Sequence, residues 1–244
     1  MKDNVKNLKD AAKGTPESGP VLIRSRGLRV PYDPAVIDPR KRRALRRGDY
    51  ERREVEAVKA LVRPDDVVLE LGGGLGYMST YMAANRKVGE IHSYEANPAL
   101  IPYIERLHAQ NGVSGVTIHN ALLGARKGKA KFYVRENFLA SSLQENPPGE
   151  KSPVTRIEEI PVENAKAAVK AIGPSFLVCD IEGAEADILP LPDFSGLRGA
   201  VIELHPQWIG EAGVRAVFEA MHRAGLTFYP RVSNKKVVAF LRDW

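Results

Sequence analysis

The chain has 244 residues, 43% of them apolar and 27% charged, with a formal net charge of +6. That apolar share is ordinary for a globular protein and can build one sizeable core, while no run approaches the ~18 apolar residues a helical membrane span needs. A single cysteine, Cys179, excludes an intramolecular disulfide and, set in an apolar strand pattern, reads as a buried reduced thiol.

Residues 1 to about 20 are polar and broken by Gly14, Pro16, Gly19 and Pro20, so they read as a tail. Met1 to Gly19 has no apolar signal core, and the cytoplasm is the expected compartment. Positive charge is concentrated next, at Arg24, Arg26, Arg29, Arg40, Lys41, Arg42, Arg43, Arg46, Arg47, Arg52 and Arg53. Such a cluster either attracts phosphates, uronates, nucleic acid or an acidic membrane surface, or is a solvated basic face. Aromatic residues are not interleaved with it, so no stacking platform for single-stranded nucleic acid is evident. Val21-Leu22-Ile23 reads as a short strand or an anchoring segment, and Pro31, Pro34 and Pro39 keep the chain extended or turning. From Glu51 to Val62, the residues Val55, Val58, Leu61 and Val62 share one helical face, which ends at Arg63-Pro64-Asp65-Asp66.

Val67 to Leu71 is a buried parallel strand carrying Glu70, followed by Gly72-Gly73-Gly74-Leu75-Gly76 and the amphipathic start of a helix at Tyr77. Glycine at 72, 74 and 76 permits positive φ and close approach of a ligand to the main chain. The pattern E-x-G-G-G-x-G differs from the dinucleotide fingerprint G-x-G-x-x-G. A carboxylate at the strand tip repels pyrophosphate but suits a cationic amino group. A ligand that is nucleoside at one end and amino acid at the other fits, and this is S-adenosylmethionine. Glu90 to Glu95 is a second strand, and Glu95, 19 residues past Gly76, is placed to accept ribose hydroxyl protons. Asn97 is expected to cap a helix with Pro98 at its first position and Leu100, Ile101, Ile104 and Leu107 on its apolar face. Val116 to His119 is a third strand; beyond it Asn120 or Ala121 lies beside the adenine, unless Asn120 only shapes the turn.

From Ala130 the strand-helix alternation lapses. Lys131 to Arg135 and Val154 to Ile160 read as extra strands flanking Asn137 to Leu143 and an Asn146-Pro147-Pro148-Gly149 turn, an insertion suited to cover the acceptor. A helix over 163–172 stops at Gly173-Pro174. Phe176 to Cys179 is a core strand tipped by Asp180-Ile181-Glu182-Gly183, and Gly199 to Leu204 is another, tipped by Glu203 and His205. A helix over 210–224 and a closing antiparallel hairpin, Leu226–Tyr229 with Lys235–Leu241, complete the chain. Strand tips of a parallel sheet converge on one crevice, which collects Glu70, Glu95, Asp180 and His205.

Residues 49 to 205 resemble the FkbM family of S-adenosylmethionine-dependent methyltransferases. The resemblance rests on Gly48-Asp49-Tyr50-Glu51, the Glu70 to Gly76 turn, Tyr94-Glu95-Ala96-Asn97-Pro98, Asn120-Ala121-Leu122, Ser141-Ser142-Leu143, Asp180-Ile181-Glu182-Gly183-Ala184-Glu185 and Ile202-Glu203-Leu204-His205. One departure is Glu70-Leu71-Gly72-Gly73-Gly74, where the family usually shows Asp-x-Gly-Ala. The resemblance implies a Rossmann-like α/β fold with a seven-stranded, mostly parallel sheet, a C-terminal antiparallel hairpin and helices on both faces. It divides the chain into an N-terminal basic extension, 1–47, and a class I methyltransferase domain, 48–244, with the acceptor-side insertion at 130–160.

It further implies O-methylation of a sugar, glycan or natural-product hydroxyl on a small-molecule or glycan acceptor, neutral or anionic. The implied cofactor contacts are Glu51, Glu70, Gly72, Gly74, Gly76, Tyr77, Glu95, Ala96, Asn120, Ala121 and Asp180, with Ser141, Ser142 and Glu203 on the acceptor. In-line methyl transfer gains from positioning and from a general base near the hydroxyl proton. His205 and Glu182 are the base candidates, with Asp180 holding cofactor or acceptor. The alternatives are acids that merely complement a helix dipole and a hydrogen-bonded histidine before Pro206. Asp180, Glu182, Glu203 and His205 also have the donor types for Mg²⁺ or Mn²⁺, but the reading adopted has no metal. Two other functions compete: methylation of RNA or another polyanion through the basic stretch, and a non-catalytic cofactor-binding subunit.

Overall fold

The computed structural model describes residues 21–136, 141–146, 149 and 151–244. The expected tail, Asn137 to Ala140 and the Pro147-Pro148 turn lie outside the described residues. The chain opens with a hairpin, β1 (Leu22–Ser25) and β2 (Leu28–Pro31), turning through Arg26 and Gly27 at φ 46° and 86°. Helix α1 (Pro39–Arg47) follows, and it was not anticipated. Its signals are nonetheless local: the Asp38 carboxylate accepts the Lys41 N–H at 2.7 Å, Pro39 opens the first turn, and Gly48 ends it in the left-handed region. The run of arginines conceals the amphipathic pattern, because Leu45 is the one residue of α1 that is buried. Ile23, Leu28, Val30, Ile37 and Leu45 are buried in the same core as Val55 and Met82.

Helix α2 (Arg52–Leu61) leads into β3 (Val67–Leu71), α3 (Tyr77–Arg86), β4 (Glu90–Tyr94), α4 (Ile101–Gln110) and β5 (Val116–His119). Then come β6 (Leu122–Gly124), β7 (Gly128–Arg135), β8 (Val154–Asn164), α5 (Ala165–Ile172), β9 (Phe176–Cys179), α6 (Glu185–Ile188), β10 (Gly199–Glu203), α7 (Pro206–Arg223), β11 (Thr227–Phe228) and β12 (Val237–Leu241). The seven-stranded sheet runs β11-β12-β10-β9-β3-β4-β5, parallel throughout except that β12 is antiparallel to both neighbours. Strand order reverses direction between β3 and β9, and a crevice opens there beyond the strand ends. Alternate strand residues feed two cores. Val68, Ile91, Phe176 and Val201 pack beneath α2 to α4 and the N-terminal hairpin, and Leu69, Leu177, Ala200 and Ile202 pack beneath α5 and α7. Both faces are therefore covered, as a parallel sheet requires. The insertion forms a separate small sheet, β6-β8-β7.

Three boundaries differ from expectation. The Asn97 side chain accepts the Ala99 N–H at 3.1 Å and its carbonyl the Leu100 N–H at 3.0 Å, so Asn97-Pro98 make a turn and α4 starts at Ile101. β8 continues to Asn164, whose side chain caps α5 by accepting the Ala167 N–H at 2.9 Å. α7 begins at Pro206 and crosses a break at Gly210, φ 64° and ψ −176°.

Candidate active site

At the β3/β9 switch point the loops enclose a cavity of about 320 Å³. Its wall includes Tyr50, Glu51, Gly72, Gly74, Glu95, Ala96 and Ala121, together with Ser141, Ser142, Leu143, Asp180, Glu182, Asp187 and Trp208. Among the described lining residues there are five carboxylates and no lysine or arginine.

The glycine turn brings β3 against β9. Gly72 stands at φ 88°, and a Cβ there would lie 1.7 Å from the Asp180 carbonyl oxygen, so no side chain fits. The N–H groups of Gly72 and Gly73 both donate to the Tyr94 carbonyl at 3.0 Å. Glu95 then ties the loops together: one carboxylate oxygen accepts the Gly74 N–H at 2.6 Å and the other the Asn97 N–H at 2.6 Å. Burial pushes its carboxyl up to about 7 despite those donors. Glu51 lines the cavity in the left-handed region, φ 45°, where burial and then the neighbouring Glu54 push its carboxyl up to about 8.

Four residues expected at the cofactor are not on the cavity wall. The Glu70 carboxylate turns behind the glycine loop, accepts the Ser93 hydroxyl and leaves Oε1 without a partner; burial pushes it up to about 7. Gly76 packs on Ile104, and the Tyr77 hydroxyl shares a 2.9 Å bond with Ser25 in the core. The Asn120 amide donates to the carbonyls of Glu95 and Ala96 at 2.9 and 3.1 Å, which makes it a turn-shaping residue, while Ala121 is on the wall. Ser141 and Ser142 do reach the wall; the Ser141 hydroxyl also accepts the Arg135 N–H at 3.0 Å.

Beyond β9 the chain turns sharply through Glu182 at φ 50° and Gly183 at φ 98°, where a Cβ would meet the Trp208 ring at 2.9 Å. His205, at the β10 end, lies face to face with Trp208, ring centroids 5.0 Å apart. Its Nδ1 is 2.6 Å from Glu185 Oε1, and its Nε2 is 3.1 Å from Glu182 Oε2 and 3.8 Å from Asp180 Oδ1. Burial pulls the imidazole down, but Glu182 and Glu185 outweigh it and hold its pKa at about 10. His205 is therefore an imidazolium through the neutral range, with no lone pair to take a proton. An imidazole held protonated does not accept a proton, and of the two candidate bases Glu182 is the one on the cavity wall. Burial, then repulsion from Glu182 and Glu203, pushes the Asp180 carboxyl well up, so it favours the protonated form.

Glu203 is not on the cavity wall, and burial followed by repulsion from Glu54 raises its carboxyl to about 7. Asp180, Glu203 and His205 each place one donor atom within 4.8 Å of the others. Glu182 is outside that set, and His205 would first have to surrender its Nε2 proton to bind a cation. Trp208 escaped the sequence reading, its only signal being an aromatic residue three positions past His205 at a helix start. Leu143, although inside a quoted motif, was not anticipated on the wall.

A family model described as the methyltransferase FkbM domain matches residues 68–244. The chain belongs to the FkbM methyltransferase family. No curated protein matches it significantly. Among solved structures, its fold is similar to M. jannaschii TYW2 in complex with AdoMet, at 13% identity and a TM-score of 0.48, covering 91% of this chain and 83% of that one. A methyltransferase from Pyrococcus furiosus gives 14% identity and 0.45, with coverage of 89% and 90%. Ribosomal protein L11 methylase from Lactobacillus delbrueckii subsp. bulgaricus gives 11% and 0.44, with coverage of 79% and 77%.

This FkbM protein is an S-adenosylmethionine-dependent methyltransferase. Its crevice fits that cofactor: Gly72 and Gly74 leave main chain bare against the cavity, and Glu95 stands beside them at the tip of the next strand. Among the described residues no helix is long and apolar enough to cross a membrane.

Proposed function

We propose that this methyltransferase acts on a hydroxyl of a sugar-like or natural-product acceptor, with Glu182 as the general base. The observation that carries this reading is the makeup of the cavity lining. Glu182, Asp187, the two serines Ser141 and Ser142 and the flat Trp208 ring all line the one cavity, with no lysine or arginine among its described lining residues. Carboxylates and serines accept hydrogen bonds from hydroxyls, and an indole face covers the C–H face of a ring. A phosphate placed there would meet several carboxylates at low dielectric.

S-adenosylmethionine, when bound, supplies an electrophilic methyl group on a positively charged sulfur. Glu51, Gly72, Gly74, Glu95, Ala96, Ala121 and Asp180 are the residues placed to hold it. Trp208, Ser141 and Ser142 orient the acceptor. Glu182, its Oε2 fixed by the His205 imidazolium, is placed to take the acceptor's hydroxyl proton at its other oxygen. Positioning of this kind contributes up to roughly 7–11 kcal/mol in favourable cases, and a base contributes ~10²–10⁴-fold.

A second reading, methylation of RNA or another polyanion, draws on Arg40, Arg43, Arg46 and Arg47 of α1, all exposed. Incubating a cell extract with enzyme and methyl-labelled cofactor distinguishes the two. Label in a neutral hydroxylated compound is expected. Label in RNA favours the second reading, and cofactor binding without any labelled product refutes both.

A further inference from the structure

We infer that Glu185 is a positioning residue of this enzyme, acting through His205 to hold Glu182 at the cavity wall. The inference rests on the proposed role of Glu182. Glu185 is fully buried and is not part of the cavity wall. A carboxylate taken out of water is costly unless it is paired, and this one is paired through a single oxygen, Oε2 having no hydrogen-bond partner. Its Oε1 accepts both the Gly183 N–H at 3.0 Å and the His205 Nδ1–H at 2.6 Å. One oxygen thus joins the strained turn that carries Glu182 to the end of β10. His205 in turn reaches Glu182 through Nε2 at 3.1 Å, and Trp208 fixes the ring plane.

The charge of Glu185 decides the state of the ring. With a carboxylate on Nδ1, the imidazole keeps both protons and Nε2–H donates to Glu182. With a neutral partner there, the ring loses its second proton and turns a lone pair toward the Glu182 carboxylate. The titratable groups around His205 are Asp180 and Glu182 on the β9 turn, Glu185 on α6 and Glu203 on its own strand. Glu51 and Glu54 act on Asp180 and Glu203.

The test compares wild type, Glu185→Gln and Glu185→Asp, full length. Gln keeps the volume and an acceptor for Nδ1–H but removes the charge. Nitrogen NMR of the imidazole should show wild-type His205 protonated on both nitrogens at pH 8.5, and Glu185→Gln losing that proton nearer neutrality. On the acceptor found by the labelling screen, Glu185→Gln should lower kcat about tenfold or more. It should also bring in an alkaline limb, leave the cofactor Kd within about twofold, and have Glu185→Asp recover most of the rate. A wild-type His205 that titrates near its ordinary value overturns the inference even if the variants fail to fold. So does a rate loss with an unchanged pH profile, the mark of a structural role. Failure of wild type to bind S-adenosylmethionine in calorimetry would instead remove the parent reading, while the NMR result still decides whether Glu185 sets the state of His205.

Discussion

Free enzyme should lose stability as pH rises from about 5 to 8, and Glu70 should account for a definable share. Glu70 and Glu95 are 1% and 7% exposed, and burial raises each carboxyl from 4.5 to about 7. Between those values these two groups bind more protons in the folded chain than in the unfolded one, so their contribution to stability falls with rising pH and is fully lost above about 7. At about 1.4 kcal/mol per pH unit, the difference is worth about 3 kcal/mol for each group. That is a large fraction of a typical ~5–15 kcal/mol total. Glu70→Gln mimics the protonated carboxyl and keeps an acceptor for the Ser93 hydroxyl, so it should flatten the profile by about 3 kcal/mol. Urea unfolding of both proteins, followed at half-unit steps from pH 5 to 8.5, measures this. A wild-type midpoint that climbs with pH over that range, or a variant with the wild-type slope, would refute the reasoning.

Gly72→Ala should abolish cofactor binding in calorimetry and lower stability by more than ~2 kcal/mol, since left-handed strain of ~1–2 kcal/mol adds to a Cβ held 1.7 Å from the Asp180 carbonyl. Glu95→Ala removes two charge-assisted bonds, to Gly74 and Asn97, and should weaken S-adenosylmethionine binding about 10- to 100-fold by titration calorimetry. Asp66→Ala leaves the Arg198 guanidinium without its buried partner and should cost about 3–5 kcal/mol in denaturant unfolding. In the wild type, burial pushes the Asp66 carboxyl up, but Arg198, the Arg63 N–H and the Ser175 hydroxyl outweigh it and hold it below its ordinary value. Its contribution is therefore complete above about pH 4 and lost as pH falls further, which acid titration of the folded fraction in both proteins will show.

Much of this molecule could be read along the chain. Apolar runs of strand length, glycines at 72 and 74, and acids at successive strand ends specified a Rossmann-like sheet and the crevice at its switch point, because periodicity and turn chemistry depend on near neighbours. Which acids face that crevice depended on approach between distant segments. Glu70 turns away to Ser93, 23 positions on, and the Asn120 amide is consumed 25 positions back at Glu95. The arginine-rich stretch hid α1, whose one buried side chain only acquires meaning against the core that receives it. His205 was legible as a histidine at a strand tip, but its charge was not. A proton on an imidazole is set by desolvation and by carboxylates within about 3 Å, and Glu185, 20 residues earlier in the chain, reaches it only when β9 and β10 lie side by side.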